Sequence, residues 1–101
     1  MLANGAQAHS FTRELGVSEA EFFRSLPAAL EHRQFTYENG CVRMESDART
    51  VTIELGEQAY RAIASLRLPY IKATFSFFGF SEEERVRFMQ RFELYFRRGG
   101  G

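Results

Sequence analysis

The feature that most constrains this chain is a change of hydrophobic period at Gln34. Before it, Phe22, Phe23, Leu26 and Leu30 recur at the three- and four-residue spacing of one buried helix face. After it, apolar residues alternate singly with polar ones, the spacing of a strand with one face in a core. A chain that changes period in this way combines helix and sheet, and its short connections make the strands antiparallel neighbours. In Gln34 to Glu38, Phe35 and Tyr37 share a face, and Asn39-Gly40 supplies the two residues that a tight hairpin needs at positive φ. Cys41 to Ser46 puts Val42 and Met44 on one side. A turn at Asp47-Ala48-Arg49 leads to Thr50 to Leu55, with Val51, Ile53 and Leu55 inward. These segments form a three-stranded meander.

Helices bracket the meander. Ser18 with Glu21 makes a capping box whose side chains satisfy backbone donors at a helix start, and Val17 can staple onto Phe22. Pro27 lies inside this first helical pattern, so a kink or a stop is expected there, with the end near His32. A second capping box, Ser81 with Glu84, opens a C-terminal helix from Glu82 to about Arg98. Its buried stripe is Phe88, Met89, Phe92, Tyr95 and Phe96, and Gly99-Gly100-Gly101 stops it. Between meander and last helix, Tyr70 to Phe78 reads as a fourth strand with Ile71, Ala73, Phe75 and Phe77 inward. Pro69 argues against a central strand at its own position. Gly56 to Arg67 reads as a short helical turn or an irregular bulge, in preference to a loop leading into a long strand from Ser65, and Ser10 to Leu15 as a short strand or an extended lead-in.

The expected fold is therefore α+β: a four-stranded antiparallel sheet, five-stranded if Ser10 to Leu15 joins it, with an N-terminal and a long C-terminal helix on one face. The order is α-β-β-β-β-α. The outward sheet face would carry Thr36, Glu38, Arg43, Glu45, Thr52, Glu54, Lys72, Thr74 and Ser76. With a strand at Ser10 to Leu15, this order resembles the β-α-β4-α class of the TATA-binding-protein-like folds, a resemblance of element order that implies no function. A length of 101 residues supports one domain over residues 10–98, with a flexible segment at 1–9 and a flexible glycine tail at 99–101.

Thirteen basic and thirteen acidic side chains cancel, so no global field draws the chain to nucleic acid or anionic lipid; neither a nucleic-acid nor a membrane partner is expected. One cysteine, Cys41, and no basic n-region before a long apolar stretch fit a cytoplasmic protein. His9, His32 and Cys41 are isolated in sequence, which gives no metal-ligand spacing, and no glycine-rich phosphate loop is present, so no metal or cofactor is expected. Glu38, Glu45 and Glu54 share a sheet face and are the generic carboxylates from which an enzyme could be built, although Arg43 and Lys72 are interleaved with them.

Two clusters could hold a ligand. Arg61, Lys72, Arg87, Arg91, Arg97 and Arg98 could form an anion site of guanidinium forks. Eleven phenylalanines and no tryptophan raise the second: Phe75, Phe77, Phe88, Phe92 and Phe96 could line a slot for an apolar molecule between sheet and helix. The terminal Arg98-Gly99-Gly100-Gly101 is similar to the Gly-Gly end of ubiquitin-like modifiers and sulfur carriers, but follows a helix rather than that fold's last strand. No reactive constellation emerges, so the leading expectation is a non-enzymatic binding or accessory module acting through protein contacts, as a homodimer joined by a sheet face or edge. The competing expectations are a binder of a small anionic or apolar ligand at the C-terminal helix, and a small enzyme using the sheet carboxylates.

Overall fold

A computed structural model describes residues 8–96. The elements are β1 (His9–Leu15), α1 (Glu19–Ala29), β2 (Thr36–Glu38), β3 (Cys41–Ser46), β4 (Arg49–Leu55), β5 (Ala59–Ile63), β6 (Leu66–Phe78) and α2 (Glu82–Leu94). The sheet is antiparallel, in the order β1-β6-β4-β3-β2, with β5 paired to β6 off that path. The expected flexible start and glycine tail lie wholly or largely outside the described residues, as do Arg97 and Arg98.

Both capping boxes form. Ser18 Oγ accepts from Glu21 N while Glu21 Oε1 accepts from Ser18 N, and Ser81 and Glu84 do the same for α2. The Asn39-Gly40 turn has φ of 52° and 76°, as the hairpin motif requires. Gly79, at φ +79°, admits no side chain: a Cβ there would lie 2.6 Å from the Ala48 carbonyl oxygen.

One face of the sheet and both helices enclose the core. Phe22, Phe75 and Phe92 are fully buried, Phe92 meets Phe75 edge-on at 5.1 Å, and Phe96 stacks on Phe22 at 5.3 Å. Each ring removed from water contributes roughly 1.5–3 kcal/mol. The opposite sheet face is polar as expected, with Ser10 bonded to Ser76 and Thr12 to Thr74 through their hydroxyls.

Four expectations need correction. The sheet has six strands, because β1 is a full edge strand and Gly56 to Arg67 holds, beyond the irregular bulge expected there, β5, a two-residue turn and the start of β6. The strand expected from Tyr70 begins at Leu66, so Pro69 lies inside β6, at a point where β5 is its single neighbour and, as expected, the strand is not central. Lys72 O accepts from Gly56 N, so alternate residues Tyr70, Leu68 and Leu66 also aim their backbone groups at the β4–β5 side. Pro69 therefore faces the side that β1 leaves after Leu15, where a missing N–H breaks no ladder bond. Third, α1 runs through Pro27 to Ala29, since a proline so near the helix end removes a single intrahelical donor. Finally, α2 ends at Leu94 rather than near Arg98. Tyr95 N and Phe96 N bond to the carbonyls three residues back, which tightens the last turn and swings Tyr95 out of the buried stripe to 41% exposure.

Among the described residues, no helix is long and apolar enough to cross a membrane.

Candidate functional site: an apolar arm and an arginine groove

Between Leu55↔Ala73 and Ala59↔Tyr70 the β4–β5 side advances four residues while β6 advances three. The extra residue is a bulge, which bends the hairpin and re-aims the strands past it. From there, β5 and the first five residues of β6 form a two-stranded arm on a molecule 52 Å long and 24 × 23 Å across. Every residue from Tyr60 to Leu68 is exposed.

Along β6, Ile71, Ala73, Phe75 and Phe77 face the helices, while Lys72, Thr74 and Ser76 face outward. By strict alternation Tyr70, Leu68 and Leu66 fall on the outward side, and their partners Ala59, Arg61 and Ile63 share that face. The apolar side of the strand thus inverts at Tyr70. Ile63, Leu66 and Leu68 are 51%, 59% and 42% exposed on that face. Arg61 is the single charge on it. Its guanidinium lies 4.5 Å from the Tyr70 ring centre and donates to Glu14 Oε1 at 3.0 Å, a bond that holds Arg61 more firmly protonated. At the arm's root, Ile63, Leu68, Pro69 and Tyr70 join Gly16, Ser18 and Glu21 around a cleft of ≈ 450 Å³.

A second concavity, of ≈ 360 Å³, lies where the end of α1, the β3–β4 hairpin and α2 converge. Its apolar lining is Ala29, Leu30, Met44, Phe80 and Phe88, and its charged lining is Arg33, Arg49, Arg87 and Arg91 with Glu31 and Glu84. Glu84 takes a 2.8 Å bond from Arg49 and Glu31 a 2.7 Å bond from Arg91. The backbone N–H of Ser81 holds the Glu84 carboxyl below its ordinary range, against the opposing effect of desolvation, and Arg49 adds to the lowering. Arg33 and Arg87 are held more loosely. Arg33 donates to Ser46 at 3.2 Å and lies 3.5 Å from Glu31, while Arg87 lies 4.0 Å from Glu83 and acts on Glu84 through its charge.

The sequence candidates divide between these places. Arg87, Arg91 and Phe88 meet in the groove. Arg61 is on the arm, and Lys72 is on the outward sheet face across from Glu14, so neither approaches the α2 arginines. Phe75, Phe77, Phe92 and Phe96 are buried and in ring contact with one another, so they form packed core without a slot. Glu45 is paired to Arg43 at 2.8 Å, and Glu38 and Glu54 are exposed on either side of Cys41 in one cross-strand row. Burial, and then Glu54, push the Cys41 thiol up, which disfavours its thiolate. Among the described residues no three His, Cys, Asp or Glu side chains are grouped to hold a metal.

The arm's Ile63, Leu66 and Leu68, and the groove's Arg33, Arg49 and Glu31, escape a reading based on local motifs. The signal in the sequence was the change from even- to odd-numbered apolar residues across Tyr70–Ile71. No family model, curated protein or solved structure matches the chain.

Proposed function

We propose that this protein is a binding module that works through protein contact, and that its arm pairs with the arm of a second copy. The observation that carries this reading is the inversion of the apolar face along β6. A two-stranded hairpin is marginal in water unless its apolar side is covered, and the start of α1, which shares the cleft at the arm's root, leaves Ile63, Leu66 and Leu68 exposed. Clustered exposed apolar side chains of this kind mark contact surfaces.

A second copy suits the arm better than a charged partner does. The one cation on the apolar face, Arg61, is already neutralised by Glu14 of the same chain, so two such faces meet without unpaired charge. Arg67, on the other side of the arm, lies 4.2 Å from the Tyr60 ring centre and stays in solvent. The alternative edges suit association less well: β2 has three residues, and β1 carries Arg13 and Glu14 in ion pairs with Glu93 and Arg61. The backbone groups of Tyr60 and Ala62 point away from β6 and offer a further strand-pairing edge.

Sedimentation equilibrium over a wide concentration range tests the reading. The wild type should be a dimer. The variant Ile63→Asp/Leu68→Asp should be a monomer that keeps the wild-type circular dichroism spectrum, since neither residue belongs to the core, and its melting temperature should no longer rise with protein concentration. A wild type that is monomeric throughout, a variant that remains dimeric, or a monomeric wild type that binds anionic vesicles through the arm would each overturn it.

A further inference from the structure

We infer that the groove between the end of α1, the β3–β4 hairpin and α2 is a binding site for a small amphipathic monocarboxylate, its acid head on Arg33 and Arg87 and its apolar, preferably aromatic, tail on Phe80 and Phe88. The inference is independent of the arm, which lies elsewhere on the fold.

Three observations carry it. First, the groove pairs an apolar floor with converging donors at a volume of ≈ 360 Å³, within the roughly 300–1,000 Å³ range of small-ligand sites. Phe80 and Phe88 meet at 79° with centroids 6.2 Å apart and offer a ring face and a ring edge. Second, four guanidiniums line the groove with two carboxylates, and the further carboxylates of Asp47 and Glu83 stand only at 3.8 Å from Arg49 and 4.0 Å from Arg87. Glu84 and Glu31 are occupied by Arg49 and Arg91, which leaves Arg33 and Arg87 as the loosely held forks, suited to a planar carboxylate. The two glutamates repel a dianion, which favours a monocarboxylate over a phosphate.

Third, the groove wall is built at a conformational cost. The end of α1 closes with His32 N on Pro27 O at 2.7 Å and Glu31 N on Ala28 O at 3.0 Å, the motif that places a left-handed residue just past a helix. Glycine is usual there. This chain has Glu31 at φ +59° followed by His32 at φ +60°, and such outliers concentrate where a site needs a particular side chain. What Glu31 supplies is the carboxylate that fixes Arg91 along one wall.

Titration calorimetry with phenylacetate tests the site, with acetate, phenethyl alcohol and inorganic phosphate as controls. Phenylacetate should bind at least about tenfold more tightly than any control, because only it uses both head and tail sites. Arg33→Ala/Arg87→Ala should weaken binding by about tenfold or more and leave the circular dichroism spectrum unchanged, both side chains being exposed. Amide shifts should centre on Leu30, Met44 and Phe88. Equal binding of phenylacetate and phenethyl alcohol, no effect of the double variant, tighter binding of phosphate, or shifts confined to the arm would overturn the inference.

Discussion

Residues at special backbone positions tell most about what this chain keeps for reasons other than stability. Asn39, Gly40 and Gly79 adopt positive φ where turn chemistry asks for it, and all are residue types suited to turns. Glu31 is different, because glycine would hold the same conformation with less strain. Replacing it sets two effects against each other: relief of a left-handed side chain, about 1–2 kcal/mol, and loss of exposed ion pairs to Arg91 and Arg33, each about 0–1 kcal/mol. The first is the larger for the pair as a whole, so Glu31→Gly should be as stable as the wild type or more so by up to about 1 kcal/mol in urea unfolding. It should also loosen Arg91, seen as narrower side-chain resonances. A clear loss of stability would mean that the pairs hold α1 to α2 and that Glu31 is kept for the fold.

Elements were legible in proportion to how local their signals are. Both capping boxes, the Asn39-Gly40 turn and the alternation of β3 and β4 could be read because each depends on residues within four or five positions. The extent of α2 was overestimated, since the tightening of its last turn at Tyr95 and Phe96 depends on how Phe96 packs on Phe22 and Phe92. The Ser81–Glu84 box also sets a pH dependence. A carboxylate whose folded pKa lies below its unfolded value of about 4.5 adds stability that is fully present above that value and is lost as the pH falls through the depressed folded one. Glu84→Gln should therefore melt below the wild type at neutral pH, and the two melting temperatures should converge on acidification. Ser81→Ala should cost about 1 kcal/mol.

At the scale of the molecule, the six-stranded count and the arm were hidden by an assumption natural to sequence reading, that every apolar strand face looks into the one core. Leu66, Leu68 and Tyr70 are out of phase with Ile71, Ala73, Phe75 and Phe77, and that phase change looks like the end of a strand. It is instead one thirteen-residue strand that serves the core from Ile71 onward and leaves it for its first five residues. The groove was hidden for another reason, since Arg33 follows α1, Arg49 opens β4 and Arg87 lies in α2, and they meet only after the sheet and helices have packed. Two regimes of stability in one strand should be visible by hydrogen exchange. Amides of Ile71 to Phe77 open only with the core, whereas those of Ala59 to Ile63 and Leu66 to Leu68 open locally in a monomer. Raising the protein concentration should slow exchange in the arm and leave the core half of β6 unchanged, because only the arm gains cover on dimerisation. Arm exchange that is slow and independent of concentration would mean that the hairpin is stable alone, and the main reason for assigning it a partner would be gone.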